Sequence, residues 1–165
     1  MSIMRNAYFA VLITACLVAT TAQGGSNTSR LEVTAAVVAD CRIVTSDLAF
    51  ADYDPLLHNA TEQLDAAAQV SMVCTRGAQA TIIIDGGRHS TGSNRALSGG
   101  TQRVSYQLYR DEGRTQVWGS GGSVLRFVSN GVDRPEQVTV YGRIPPGQEV
   151  QSGVYTDVVT ATVDF

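Results

Sequence analysis

The residues in this sequence that are most capable of chemistry are its three cysteines, Cys16, Cys41 and Cys74. Cys16 lies in an N-terminal apolar run typical of a removable export signal, which leaves two cysteines in the exported chain. Neither belongs to a C-x-x-C pair or has a histidine nearby, so a metal site or a nucleophilic thiol is not indicated. Two cysteines in an exported chain usually pair, and closing a loop of about 33 residues contributes on the order of 3–4 kcal/mol. We therefore predict a Cys41–Cys74 disulfide.

Other groups capable of catalysis or metal binding are few and isolated. His58 and His89 occur in loop-like segments without metal-ligand spacing, where a solvated histidine is the common case. The aspartates of segment 47–54 could hold calcium, but their position before a proline is more typical of turn formation. The glycine-rich segment 86–100 matches no phosphate-binding loop, and tight β-turns explain its glycines. We therefore expect no enzyme activity, no metal and no cofactor.

The composition is that of a single β-rich domain. The chain of 165 residues is 44% hydrophobic and 16% charged, with 16 glycines and 4 prolines. Many glycines between short runs of valine, threonine and tyrosine are typical of strands joined by turns. The formal net charge is -3 and the basic residues are scattered singly, so a nucleic-acid partner is not expected.

The N-terminal residues have the pattern of a secretory signal peptide. Arg5 precedes an apolar run over 7–19, and small residues follow, so cleavage is expected near Ala22. The run is short for a membrane span. An alternative reads Cys16 as the acylated cysteine of a bacterial lipoprotein, although the apolar run continues past it. We expect a signal peptide over 1–22 and a mature chain that is exported.

Alternation of apolar and polar residues with a period of two runs through the mature chain and predicts strands. We expect no helix of convincing length and about eight strands, which is the pattern of an immunoglobulin-like sandwich. The predicted strands are 31–39 with a short continuation at 41–44, then 68–74, 80–87, 103–111, 115–123, 124–129, 136–144 and 155–165.

The two end strands raise the question of what pairs with them. The sequence stops at Phe165, on the last residue of its final strand, and a second alternating strand stands at the mature N-terminus. Unpaired edge strands invite pairing with another chain. The pattern leaves two alternatives open: segment 31–39 is donated to a neighbouring molecule, or it folds back as the first strand of its own sandwich.

Seven segments, in order and at plausible spacing, resemble the spore coat protein U family, which includes the subunits of archaic (Csu-type) chaperone–usher pili. They are "DC" at 40–41, "LAFADYDP" at 48–55, "VSMVC" at 70–74, "IIIDGG" at 82–87, "YQLYRDEGRTQVWG" at 106–119, "YGRIPPGQ" at 141–148 and "GVYTDVVTATVDF" at 153–165.

The resemblance implies an incomplete immunoglobulin-like sandwich that a donor strand from a neighbouring subunit completes. It implies a disulfide matching Cys41–Cys74, a donor strand within an extension over 23–40, and a pilin or coat domain over 41–165. The implied donor residues are Leu31, Val33, Ala35 and Val37. The implied acceptor groove is bordered by Val159, Ala161, Val163 and Phe165, with the strand at 138–144 a weaker candidate for its other wall.

The function implied is that of a structural pilus subunit, assembled by donor-strand exchange and supporting adhesion or biofilm formation. The implied partners are identical or related pilins, a periplasmic chaperone and an outer-membrane usher, with export through the periplasm to the cell surface. A secreted spore or cell-surface coat protein is the first alternative. A carbohydrate- or calcium-binding surface module that uses segment 86–100 is the second.

Overall fold

The computed structural model describes residues 23–119 and 123–165. The expected signal peptide over 1–22, with its lipoprotein alternative at Cys16, lies outside the described residues. The chain divides into two units, Met1–Ala35 and Ala36–Phe165. Residues 23–35 of the first unit have no regular secondary structure, and the named strands all belong to the second. No helix among the described residues has the length and apolarity that a membrane crossing would require.

The second unit is a sandwich of two antiparallel sheets, which confirms the all-β prediction. Its strands are β1 (Cys41–Thr45), β2 (Leu64–Cys74), β3 (Gln79–Ile84), β4 (Arg95–Gly99), β5 (Gln102–Tyr109), β6 (Leu125–Val128), β7 (Glu136–Ile144) and β8 (Ala161–Asp164). One sheet has five strands in the order β1-β2-β7-β5-β4, and the other has three in the order β6-β3-β8. A single short 3-10 turn, His58–Ala60, precedes β2 in the described chain.

Alternation along the strands builds the core between the two sheets. Val70 and Met72 of β2 face Ile82 and Ile84 of β3, and all four are buried. Trp118 is fully buried among them, and its indole N–H donates to a backbone carbonyl of β3. Each Val, Leu or Ile buried in this way contributes roughly 1.5–3 kcal/mol.

The connection between β1 and β2 covers the middle of the larger sheet. Leu48 and Phe50 pack against the core from this connection. A Cβ added at Gly142, near the end of the central strand β7, would lie 2.9 Å from the Phe50 ring and 3.0 Å from the Leu48 methyls. This glycine inside a predicted strand therefore makes room for these two side chains. Farther along, the Tyr53 hydroxyl accepts a hydrogen bond from the Gln148 N–H at 2.9 Å and fixes the connection to the end of β7.

The predicted disulfide joins the first two strands. Cys41 and Cys74 stand opposite each other in the β1–β2 register, with their Cα atoms 4.1 Å apart. Pairing continues one residue beyond it, where the Thr75 N–H donates to the Asp40 carbonyl at 2.9 Å. The disulfide therefore fixes the end of the sandwich at which the N-terminal extension meets β1.

One strand was missed within the glycine-rich segment 86–100. β4 lies there and forms a hairpin with β5, in which Gly99 pairs with Gln102. The two-residue loop begins with Gly100 at φ +73°, a conformation that glycine adopts without strain. A glycine opening a two-residue loop before an alternating strand is a hairpin signal, and it was available in the sequence.

Two predicted strands differ from the structure: one forms no named strand, and the other is shorter. Segment 115–123 forms no named strand in its described part, and only Val117 makes an isolated bridge, to Tyr109. The last strand is confined to Ala161–Asp164, whereas the prediction began it at 155. The reason is that Thr156 pairs with β4 of the larger sheet, so the chain must cross to the smaller sheet before β8 begins.

The strand predicted over 31–39 is also absent from the described chain. These residues have no assigned strand, and their side chains are exposed. An extended segment needs a neighbouring strand for its backbone hydrogen bonds, and the described residues supply none. The continuation predicted at 41–44 is confirmed as β1.

Candidate functional site

The sandwich is open along one side, between two edge strands. β1 pairs with β2 at the edge of the larger sheet, and β8 pairs with β3 at the edge of the smaller sheet. Neither has a second strand partner among the described residues. β1 and β8 approach each other across the gap between the sheets. The backbone N–H and C=O groups on their outer edges therefore border a groove, called here the acceptor groove.

The acceptor groove is closed at the disulfide end. Cys41 and Val163 pack there against the same small apolar cluster, formed by Cys74, Ala78 and Ala80. This places the start of β1 beside the end of β8. Because the two strands run in opposite directions, the end of β1 and the start of β8 meet at the other end of the groove.

At that other end the acceptor groove widens into a cavity of about 380 Å³. Thr45 lies on the β1 side of the cavity, and Ala161 lies on the β8 side. Its floor is the main core; the apolar floor residues are Val70, Ile84, Tyr106, Leu108 and Val140. A void of this size is larger than close packing leaves in a closed core, so the sandwich is open at this point, although the floor side chains themselves are nearly fully buried.

The predicted acceptor residues divide into three groups in the structure. Val159 and Ala161 are half-buried and line the cavity. Val163 points inward at the closed end of the groove. Phe165 is 57% exposed and lies over a shallow depression on the smaller sheet, away from the cavity. The structure therefore brings three of the four into the groove and leaves the last outside it.

The other wall of the groove is β1, and the weaker prediction that placed it at 138–144 is wrong. Those residues belong to β7, which lies between β2 and β5 in the middle of the larger sheet. A central strand has both edges paired and contributes only its face, here Val140, to the floor. The groove-facing side chain of β1 is Ile43, which packs against the core. β1 was missed as a wall because it is short and its outer face is exposed.

The segment before β8 ties the two sheets together. Thr156 exchanges both backbone hydrogen bonds with Ser98 of β4, at 2.8 and 3.0 Å. Two residues later the chain has reached the other sheet, where the Arg88 N–H donates to the Val158 carbonyl at 3.1 Å. Residue 157 is therefore the point at which the chain over 156–164, which forms the β8 side of the groove and is called here the acceptor wall, passes from one sheet to the other.

Asp157 at this crossing is almost completely buried and fully hydrogen-bonded. Its side chain is 2% exposed. It accepts hydrogen bonds from the Tyr106 hydroxyl at 2.8 Å and from the Arg88 N–H at 3.0 Å, and it contacts His89 Nδ1 at 3.0 Å. Burial and the bond to Asp157 raise the pKa of Tyr106 far above its ordinary value. These contacts fix the acceptor wall to the core.

Arg95 is a second buried polar residue beneath this wall. It is 3% exposed, and its guanidinium donates to the carbonyls of Ile84, Asp85 and Trp118 and to the Gln107 side chain. Burial lowers its pKa, although nearby Tyr106 and the acidic groups of the cluster oppose that effect. No local pattern in the sequence indicates that an arginine inside a glycine-rich stretch is buried.

Asp85 holds β8 to the end of β3. Its carboxylate accepts hydrogen bonds from the N–H groups of Thr160 and Gly87, both at 2.9 Å. Burial acts to raise its pKa, but these backbone bonds outweigh burial and the pKa is lowered. The Asp85 N–H also donates to the Thr160 carbonyl at 3.0 Å. Both backbone polar groups of Thr160 are therefore bound to Asp85.

We expect Asp85→Asn to flatten the acid dependence of stability. Since the folded-state pKa is lowered, the contribution is complete above the ordinary aspartate pKa of about 3.9 and is lost as the pH falls through the folded value. Urea unfolding between about pH 5 and pH 2 should therefore show a steeper loss for the wild type than for the variant. Asp133→Asn, in an exposed turn, is the control. An identical pH slope in Asp85→Asn and the wild type would contradict this role.

The residues considered for catalysis or metal binding have structural contacts. Asp54 accepts hydrogen bonds from the N–H groups of Leu56 and Leu57, as expected of a turn-forming aspartate. His89 contacts the buried Asp157, so it is not the freely solvated histidine that was predicted. No group of three or more potential metal ligands occurs among the residues described.

The four predicted donor residues lie in the part of the chain that has no secondary structure. The exposed fractions of the Leu31, Val33 and Val37 side chains are 87%, 83% and 85%, and Ala35 is also exposed. An alternating apolar row that is this exposed is unusual for a soluble chain, in which such rows are normally covered.

Comparison with known proteins places the chain among relatives. The Spore Coat Protein U domain model matches residues 27–162. "Protein U" of Myxococcus xanthus is 35% identical over 181 residues, with 100% of both chains covered. A solved structure of the CsuC–CsuE chaperone–tip adhesion subunit pre-assembly complex, from archaic chaperone-usher Csu pili of Acinetobacter baumannii, matches with a TM-score of 0.58 and 21% identity.

The structural match covers 78% of this chain and 40% of the matched chain, and at this identity it is a likeness of fold. The family match covers β1, the disulfide and the first two residues of β8. Together with the relative from Myxococcus xanthus, it shows that the chain belongs to the spore coat protein U domain family.

Proposed function

We propose that the chain is a structural subunit of a surface fibre, assembled by donor-strand exchange, and that it is not an enzyme. In this proposal, residues 29–39 of one molecule enter the acceptor groove of the next. The observation that carries it is the cavity of about 380 Å³ between β1 and β8, which leaves the apolar core incomplete beside two unpaired strand edges.

The chemistry of the donor segment matches what the acceptor groove lacks. The groove needs an extended backbone to pair with its edges and apolar side chains on one face to fill the core. Leu31, Val33, Ala35 and Val37 provide such a face, and all of them are exposed in the isolated chain. Burying three Leu or Val side chains contributes roughly 1.5–3 kcal/mol each, before the backbone bonds are counted. Such a junction would dissociate slowly, which suits a surface fibre.

The proposed partners follow from the same groove. An incomplete core exposed to water promotes aggregation, so a subunit of this kind needs a carrier that covers the groove before assembly. We propose a periplasmic chaperone in that role and an outer-membrane usher as the assembly site, with export through the periplasm to the cell surface. The fold match to the subunit of a chaperone–tip adhesion subunit complex supports the chaperone. A contribution to adhesion or biofilm formation is part of this proposal.

A secreted coat protein is the second candidate. The observation that favours it is the match over the whole of both chains to Protein U, within a family named for spore coats. In that role the same acceptor groove would bind the extension of a neighbour in a surface layer. Electron microscopy of cells producing the tagged chain separates the two, because a fibre gives filaments and a coat gives a continuous layer.

The test of the proposal is a chain from which residues 23–39 are deleted. We expect it to fold poorly alone and to gain stability from a synthetic peptide with the sequence of 29–39, because the peptide completes the core. Burial of the apolar donor face should raise the thermal midpoint by about 10 °C or more at saturating peptide. The matched control is the same peptide with aspartate in place of Val33 and Val37, which removes the alternating apolar face.

Two results would contradict donor-strand exchange. One is a deletion variant that is fully stable as a monomer without any peptide. The other is equal stabilisation by the control peptide, because a groove with an apolar floor should not bind a segment that has lost its alternating apolar face.

A further inference from the structure

The open end of the acceptor groove fixes where a bound donor segment leaves it. At the disulfide end Cys41 and Val163 pack against one shared cluster, which closes the gap between the two sheets. The cavity opens at the other end, called here the mouth, between Thr45 and Ala161. In the proposed function, the residues that join a donor segment to its own domain therefore lie at the mouth of the receiving domain.

The link between the donor segment and its own domain is short. Val37, the last of the predicted donor residues, is four residues from Cys41, where β1 and the disulfide begin. An extended chain covers at most about 3.6 Å per residue, so these two residues are no more than about 14 Å apart. A domain of this size has a radius of gyration of about 14 Å. The disulfide end of the donating domain must therefore touch the surface around the mouth of the receiving domain.

A second hollow lies beside the mouth. It measures about 850 Å³, and Asp52 and Tyr155 are part of its lining. The cavity at the mouth is lined by Phe50 and Asp157, so the two hollows are two residues apart along each of these chain segments. Two residues span at most about 7 Å. The hollow therefore lies within the area that the donating domain has to cover.

Two leucines at this hollow are exposed on a fixed turn. Leu56 lines the hollow and Leu57 follows it, and their side chains are 86% and 75% exposed. Asp54 accepts hydrogen bonds from both of their N–H groups, and its own N–H donates to the Asn59 side chain at 2.8 Å. Exposed apolar area on a fixed turn is the kind of surface that marks a contact with another molecule.

The charges at the two ends of the domain are complementary. Three acidic side chains and no basic one line the hollow; they are Asp52, Asp54 and Glu149. At the disulfide end, Arg76 and Arg134 line a depression that has no acidic lining residue. Asp133 is the one acidic residue in the connection that carries Arg134, and no ion pair among the described residues involves any of these three. Both guanidiniums are therefore available to a partner.

We infer that the hollow of one subunit receives the disulfide end of the subunit that donates to it, with Arg76 and Arg134 over the acidic lining and with Leu56 and Leu57 covered. The occupant is a second copy of this chain. The inference rests on the proposed donor-strand function and adds a second contact between the same two molecules, outside the groove. Opposite charges at such a contact mainly raise the rate of association, so this contact guides the donor segment toward the groove.

The test reverses the charges of each end separately in the mature chain. One variant carries Arg76→Glu with Arg134→Glu, and the other carries Asp52→Arg with Glu149→Arg. All four side chains are exposed, so the domain should still fold, which circular dichroism checks. During refolding in about 0.02 M salt, each variant should polymerise about tenfold more slowly than the wild type, because like charges then face each other. The difference should fall to about twofold near 0.5 M salt, where screening is strong.

An equal mixture of the two variants gives the sharpest comparison. In an alternating polymer every junction again joins opposite charges, so the mixture should polymerise at close to the wild-type rate. The matched controls are Arg126→Glu and Glu112→Arg, exposed charges that belong to neither lining, and their rates should equal that of the wild type. Leu56→Ser with Leu57→Ser should slow polymerisation at both salt concentrations, because salt does not screen an apolar contact. Light scattering measures these rates.

The wild type supplies a test that needs no variant. Its net charge is negative, so general repulsion between molecules would make polymerisation faster as salt is added, whereas the proposed contact makes it slower. A wild-type rate that does not fall with salt overturns the inference. Wild-type rates for both charge variants at low salt overturn it too, as does a mixture that is no faster than its components. Failure of the donor-strand proposal has a different signature, because Val33→Asp would then leave the polymerisation of each of these chains unchanged.

Discussion

A chain in which "RLEVTAAVVA", the sequence of residues 30–39, is joined after Phe165 through a short flexible linker is expected to be a stable, soluble monomer. The reason is that the linker lets the grafted strand reach the acceptor groove of its own molecule, so no open groove is left to accept a neighbour. Three buried Leu or Val side chains would contribute roughly 5–9 kcal/mol at most, which is comparable with the whole stability of a small domain. Size-exclusion chromatography and thermal melting measure the result.

The matched control for the graft carries an aspartate at the grafted position that corresponds to Val33. It has the same length and linker but places a carboxylate on the apolar face, so it should neither raise the melting temperature nor suppress association. If both grafts behave alike, or if neither differs from the wild type, the groove does not accept this strand.

Val33→Asp in the native extension is expected to abolish polymerisation without lowering the stability of the monomer below that of the wild-type monomer. Val33 is exposed in the isolated chain, so the change costs the monomer little. In the proposed junction the carboxylate would be buried without a partner, which costs at least about 3 kcal/mol, or more than a hundredfold in the association constant. Polymer length by electron microscopy, and the monomer fraction by chromatography, are the measurements.

Glu32→Lys is the control for this substitution. It changes a charge at the neighbouring position, on the opposite face of the same strand, where the side chain would remain in water. We expect its polymerisation to match that of the wild type. Polymerisation of Val33→Asp at the wild-type rate would contradict a buried role for this face, and inhibition by both substitutions would point to charge alone.

The sequence predicted most of the strands, but it missed β4 and misplaced the start of β8. Strands such as β2 and β3 were predicted from alternation because they are buried on one face along most of their length. β4 was missed because the side chains after its buried first residue, Arg95, are all half-buried, which gives no period of two, and because glycines surround it. The start of β8 was wrong because a strand that changes sheets keeps its alternation through the crossing, as residues 155–163 do.

The residues that border the groove between β1 and β8 were predicted in part, and the missing part has a physical reason. Val159, Ala161 and Val163 are found by their alternation, which the structure retains. β1 could not be identified as the second wall, since which strand ends at an edge is decided by sheet order and not by local pattern. The buried cluster of Arg95, Tyr106 and Asp157 also joins residues that are far apart in the sequence, so no local spacing predicts it.

The disulfide has a mechanical consequence if such subunits are joined end to end. Tension that enters through the N-terminal extension reaches Cys41 first, and the covalent bond there passes it directly to Cys74. The chain between these two cysteines then carries no load, although it contains most of β1 and β2. When an intact subunit unfolds under tension, the disulfide therefore keeps this loop closed. In a subunit whose disulfide is reduced, the loop would add roughly 110 Å of contour length. The bond sets an upper limit to how far each subunit can extend.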